Sequence, residues 1–106
     1  MAADKLSIVW SPEALGDIDH IWEYYAGVAG RATADKVLRE IAKAVSAVEE
    51  FPLAGRSRGE IQLGLRSLAA NPHVVFYRIN RDRPEIVRVL DGRQDIGEIF
   101  AEDEGS

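Results

Sequence analysis

Pro52 divides this chain into two parts that obey different periodicities, and that switch restricts the fold more than any single motif. Ahead of it, Leu15, Ile18, Ile21, Trp22 and Tyr25 recur at helical spacing, followed by Val37, Leu38, Ile41, Val45 and Val48. Ser11-Pro12-Glu13 is a helix start: a hydroxyl cap, proline at the first helical position and an acid near the positive end of the dipole. Gly27 and Gly30 are expected to end this first helix and permit a tight reversal. The second helix should run from about Thr33 to Glu50, with Ala34, Ala42, Ala44 and Ala47 allowing a neighbour to approach closely. Phe51-Pro52 then stops it, because proline disfavours helical geometry in the residue before it.

Beyond Pro52 the pattern is that of strands. Leu53 to Gly64 is a polar connector, followed by apolar runs at Leu65–Leu68, His73–Asn80 and Glu85–Leu90. Asn71-Pro72 and Arg81-Asp82-Arg83-Pro84 supply reversals too short for anything but an antiparallel meander. With a strand at Leu6–Trp10, the expected fold is α+β: an N-terminal strand, an antiparallel helical hairpin, then a three-stranded antiparallel meander. The hairpin should cover one face of the sheet and leave the other face, or its rim, to a partner. All 106 residues read as one domain, with Glu102–Ser106 a frayed acidic tail.

Strict alternation would put Ile86, Arg88 and Leu90 on one face and Val87 and Val89 on the other. In the neighbouring strand it separates Val75, Tyr77 and Ile79 from Val74, Phe76 and Arg78. Arg78 and Arg88 therefore sit among apolar neighbours. Each is either a half-buried arginine paired with a carboxylate such as Asp91 or Asp95, or a ligand contact.

The net charge of −5 is unevenly distributed. Arg56 to Arg93 holds eight arginines and four acids, while the rest of the chain is strongly acidic. A planar guanidinium suits phosphate and carboxylate partners, but the acidic balance argues against nonspecific or direct DNA binding. Without cysteines there are no disulfides or thiolate metal sites, and a reducing cytoplasm is the expected location. The N-terminus has no signal-like apolar core, and no apolar run approaches the roughly 18–20 residues of a membrane span, so no membrane association is expected.

His20 and His73 lie on different elements, so no metal site or other cofactor is expected. Gly55, Gly59 and Gly64 lack the spacing of a phosphate-binding loop, and nothing marks Ser67 as an activated nucleophile. What remains is an arginine constellation, Arg66, Arg78, Arg88 and Arg93, followed by Gln94 and Asp95. It could stabilise a phosphate during RNA cleavage, or anchor a protein partner without chemistry.

The run His73–Ile79 followed by Glu85–Ile96 resembles the C-terminal signature of ParE toxins in the ParE/RelE superfamily of bacterial toxin–antitoxin systems. Ser11-Pro12-Glu13-Ala14, Asp17-Ile18, Ile21-Trp22 and Phe51-Pro52 are similar too, so the resemblance spans roughly Leu6 to Phe100. It implies a toxin held in a hetero-oligomer by a cognate ParD-like antitoxin. The implied target is DNA gyrase, inhibited by binding so that cleaved DNA accumulates. The alternative within the superfamily is a RelE-type, ribosome-dependent mRNA endonuclease, and outside it a non-toxic interaction module.

In RelE-type nucleases an arginine precedes the turn, a second follows the last strand, and a tyrosine or histidine near the C-terminus moves the proton. Arg66 and Arg93 match the arginines, but the third position falls on Ile99 or Phe100, and neither can transfer a proton. The resemblance therefore implies a binding inhibitor with no catalytic residue rather than an enzyme. Candidate target contacts are Arg66, Arg78, Arg88, Asp91, Arg93, Gln94 and Asp95. Candidate antitoxin contacts are Trp10, Trp22, Tyr24 and Tyr25, of which Trp22 and Tyr25 are also expected in the core.

Overall fold

A computed structural model describes residues 8–104. Eight elements follow one another: β1 (Val9–Trp10), α1 (Pro12–Ala29), α2 (Arg31–Glu50), β2 (Arg56–Ser57), β3 (Arg66–Ala70), β4 (His73–Asn80), β5 (Arg83–Asp91) and α3 (Ile96–Glu104). The strands form one sheet in the order β1-β5-β4-β3-β2. The β3–β4–β5 meander is antiparallel as expected, and β1 joins β5 in parallel through Val9↔Glu85 and Trp10↔Ile86. The part of the expected first strand at Leu6 and Ser7 lies outside the described residues.

Ser11 welds the first helix to the sheet. Its backbone N–H donates to the Ile86 carbonyl and its hydroxyl donates to the Val87 carbonyl at 2.8 Å. The same oxygen accepts the Ala14 N–H at 3.0 Å, which is the expected N-cap. The helix does not end at Gly27 but runs to Ala29, and Gly30 alone joins α1 to α2. Its φ of 94° is a conformation that a side chain would resist, and its N–H caps α1 on the Ala26 carbonyl. Trp22 is half-buried rather than core, and its indole N–H ties the hairpin together by donating to Asp35 at 2.9 Å.

The apolar stripe of α1 departs from expectation at its start. Ala14 is fully buried with Ile18 and Ile21 packed beside it, whereas Leu15 is exposed. These residues join Ile41, Ala44 and Val48 of α2 against Val75, Tyr77, Ile86 and Val89 of the sheet. The opposite face is also closed. Phe76, Leu90 and Leu65 pack there against Phe100 of α3, with Ile96 and Ile99 alongside. The C-terminal segment is therefore a docked helix rather than a frayed tail from residue 102, and Phe100 stacks edge-on to Phe76 at 5.3 Å.

Strict alternation fails in β5. Phe76 opposes Arg88 and Tyr77 opposes Ile86, so Val87 is an extra residue on β5. The bulge places Ile86 with Val89 on the hairpin face, while Val87 packs with Leu90 on the α3 face. Ile86, Arg88 and Leu90 consequently do not form one row, and the expected shared face is corrected. The β4–β5 reversal is tighter than expected: only Arg81 and Asp82 lie outside the strands, at φ values of 53° and 66°.

Candidate functional site

Among the described residues β1 pairs with β5 at Glu85 and Ile86, so the outer edge of β5 beyond Val87 needs another partner. Asp17 of α1 supplies it. One carboxylate oxygen accepts the Val89 backbone N–H at 2.9 Å, and both accept from the Arg88 guanidinium at 2.8 Å. Arg88 also donates to Asp103 of α3 at 2.7 Å. With side-chain exposures of 15% for Arg88 and 10% for Asp17, this is a largely desolvated fork. The Asp17 hydrogen bonds, joined by those of Asp103, outweigh burial and hold Arg88 firmly in its charged form.

That three-way joint forms the floor of a cleft of about 1020 Å³ between the C-terminal half of α1, the end of β5 and α3. Its walls include Tyr24, Tyr25, His73, Asp91, Arg93 and Gln94. Tyr24 is 63% exposed and packs edge-on against Tyr25, which in turn contacts His73. His73 is buried, its Nδ1 has no hydrogen-bond partner among the described residues, and burial pushes the ring toward its neutral form. Asp91 clamps Arg93 through both guanidinium and backbone N–H groups, which holds its carboxyl well below the usual carboxylate range. Gln94 accepts the Asp91 N–H, and Asp95 accepts the Glu98 N–H as the N-terminal cap of α3.

Arg66 and Arg78 line no part of this cleft. Arg66 donates to the Gly55 carbonyl at 2.7 Å, beside the Tyr77 hydroxyl, which accepts from the Gly55 N–H and donates to the Pro52 carbonyl. A Cβ on Gly55 would stand 2.5 Å from that hydroxyl, so the connector requires glycine there. Arg78, on the α3 face, donates to Gln62, and neither Asp91 nor Asp95 is its partner. The four arginines of the sequence constellation therefore do not converge: Arg88 and Arg93 meet in the cleft, while Arg66 and Arg78 serve the connector.

Tyr24 and Tyr25 lie with Arg88, Asp91, Arg93 and Gln94 around one cavity, so residues expected to serve different partners share a wall. Trp10 instead packs against the hairpin-side core. Asp17, His73 and Asp103 were missed as site residues. Asp17 lies three positions beyond buried Ala14, which was the available signal once the stripe is placed correctly. For α3, Asp95 followed by Glu98 and the spacing of Ile96, Ile99 and Phe100 form a legible helix start. Among the described residues, no group of three or more histidine, cysteine or carboxylate side chains comes together to hold a metal ion. No helix among them is long and apolar enough to cross a membrane.

The family model for the ParE toxin of type II toxin–antitoxin systems, parDE, matches residues 8–96. Toxin ParE1 of Mycobacterium tuberculosis is 34% identical over 87 residues, covering 81% of this chain and 89% of that protein. Toxin ParE3 of Caulobacter vibrioides is 32% identical over 76% of this chain and 81% of its own length. Among solved structures, the chromosomal ParDE system of P. aeruginosa superposes with a TM-score of 0.72 at 24% identity, covering 82% of this chain and 96% of that one. The YoeB–YefM complex of Staphylococcus aureus gives 0.55 at 18% identity, covering 81% and 95%, so the fold is that of both toxins. The chain belongs to the ParE toxin family of type II toxin–antitoxin systems.

Proposed function

We propose that this protein inhibits DNA gyrase by binding it, without chemistry of its own, and that a ParD-like antitoxin neutralises it. The observation that carries the reading is Phe100. By the family resemblance the proton-transfer position of the RNA-cutting branch falls on Ile99 or Phe100, both apolar, and Phe100 is 2% exposed and packed on Phe76. Arg66, which matches an arginine of that branch, is occupied by main-chain carbonyls, and Arg93 is clamped by Asp91 in a different part of the molecule. These contacts suit a docking surface better than a phosphate-stabilising centre. An antitoxin partner is supported by the solved relatives, a ParDE toxin–antitoxin system and a YoeB–YefM complex.

The test is a supercoiling and cleavage-complex assay with purified protein and gyrase. Inhibition with trapped cleaved DNA, reversed by the antitoxin, is the expected result. Normal supercoiling at micromolar protein, or toxin-dependent cuts in translated messages by primer extension, would overturn it.

A further inference from the structure

The β4–β5 reversal is built from residues that suit its geometry poorly. A two-residue reversal of this kind holds both central residues at positive φ, a demand that Asn-Gly or Gly-Gly meets at little cost. Here Arg81 and Asp82 occupy it at φ values of 53° and 66°, and aspartate tolerates that region better than arginine does. Strain held at an exposed tip marks a side chain retained for something other than the fold. Arg81 and Arg83 are both exposed, and among the described residues neither guanidinium has a hydrogen-bond or ion-pair partner.

The surroundings of the tip have a distinct character. Between Phe51 and Val87 the chain carries six arginines and three acids, in a protein of net charge −5. Of those acids, Glu60 accepts from Arg58 at 2.8 Å, Glu85 stands opposite Arg78 in the strand register, and Asp82 lies between the two tip arginines. Glu49 and Glu50 close α2 and form an acidic border on the helical side. Ile79 shares a face of β4 with Tyr77, whose hydroxyl donates to the carbonyl of Pro52, between Phe51 and Leu53. Phe51, Leu53 and Ile79 are 63%, 69% and 36% exposed. This end of the sheet therefore combines unmatched guanidiniums with uncovered apolar side chains, the residue types that desolvated protein interfaces favour.

We infer that the β4–β5 hairpin tip and the adjoining Phe51–Leu53 connector dock an acidic, amphipathic surface of the target protein. Arg81 and Arg83 meet its carboxylates, and Phe51, Leu53 and Ile79 meet its apolar side chains. Nucleic acid is disfavoured, because a phosphate backbone offers nothing to the apolar residues and the acidic remainder of the chain repels it. Arg88 and Arg93, held by Asp17, Asp103 and Asp91, present less unmatched charge to such a partner. The inference rests on the gyrase reading only for the identity of the docked protein.

The experiment uses the full chain and three probes: an amphipathic peptide of leucines and aspartates, its asparagine counterpart with identical leucines, and a mixed-sequence DNA duplex. Binding is followed by fluorescence anisotropy at low and high salt and located by backbone ¹⁵N shifts. The aspartate peptide should bind at least about tenfold more tightly than the other two, weaken as salt rises, and shift Ile79–Arg83 and Leu53. Arg81→Gly relieves the strained backbone, so it should melt at the same or a higher temperature yet bind more weakly. Arg81→Glu with Arg83→Glu should abolish the preference for aspartate, whereas Arg31→Ala, an exposed cation at the far side of the helical hairpin, should leave it unchanged. Equal binding of the asparagine peptide, tighter binding of the duplex, or shifts confined to other elements would overturn the inference. With gyrase itself, the double reversal should weaken inhibition at least about tenfold while antitoxin affinity stays within about twofold. Undiminished inhibition by the double reversal, or a tenfold loss of antitoxin affinity, would also overturn it. If the unmodified protein leaves gyrase untouched, the gyrase reading fails, and the peptide measurements still decide the docking surface.

Discussion

The arginines at the two ends of the sheet are held by different kinds of acceptor, and this difference reverses the simplest interpretation of the charge distribution. At the α3 end, Arg88 and Arg93 are bound by Asp17, Asp103 and Asp91, so their positive charge is cancelled locally. Toward the opposite end, Arg66 and Arg78 donate to neutral oxygens of Leu53, Gly55 and Gln62, and their charge is not cancelled by these contacts. A stretch that reads as one basic patch in sequence becomes, in space, a compensated joint at the α1–α3 cleft and a separate set of charged connector clamps. Formal charge along a chain thus says little about the field at a site until each guanidinium has been assigned its acceptor.

Removing the helix that creates the cleft should break this comparison most severely. Phe100→Ala deletes the ring that anchors α3 between Phe76 and Leu90 and should cost about 4 kcal/mol, measured by urea unfolding. Hydrogen exchange should then rise in α3 and the last residues of β5 before it rises in β3. Cutting the joint itself comes next. Asp17→Asn leaves Arg88 with Asp103 alone in a largely desolvated site and should destabilise by about 3 kcal/mol. Combining Asp17→Leu with Arg88→Met should recover a substantial part of that loss, and a double-mutant cycle measures how much.

The neutral clamps at the opposite end should respond less. Tyr77→Phe removes a hydroxyl that bridges Gly55 and Pro52 and should cost about 2 kcal/mol, with α2 and the cleft unaltered by NMR shift mapping. The smallest effect concerns His73. Burial holds its pKa below the ordinary value, so the folded state favours the neutral ring. The associated stability is complete above the unfolded histidine value of about 6.5 and is lost as pH falls through the lower folded value. Asp91, already ionised across that interval, opposes the shift, and Arg93 reinforces it. Melting temperatures should therefore fall on acidification from about pH 7 to about pH 5, and His73→Gln should flatten that slope.

Much of the frame was legible because it depends on local rules. Ser11-Pro12 set a helix start through capping geometry, Phe51-Pro52 marked its partner's end, and the short reversals at Asn71-Pro72 and Arg81-Asp82 required an antiparallel meander. The site was less legible for reasons visible in single residues. Asp17 read as a solvent-facing acid because the α1 stripe was placed on Leu15, and only packing of Ala14 under the sheet turned Asp17 toward β5. The segment after Asp91 read as signature and tail because its charged residues concealed the spacing of Ile96, Ile99 and Phe100.

By itself, then, the sequence determined the two helices, the three meander strands and their connections, since propensity, capping and turn chemistry act within a few residues. The tertiary structure decided the parallel docking of β1, the bulge at Val87, the seating of α3 and the pairing of Arg88 with Asp17, which is 71 residues away. These features arise where an unpaired strand edge, an uncovered apolar face and a desolvated charge must each find a partner. Such requirements are met in space by whichever distant residue the fold brings within reach.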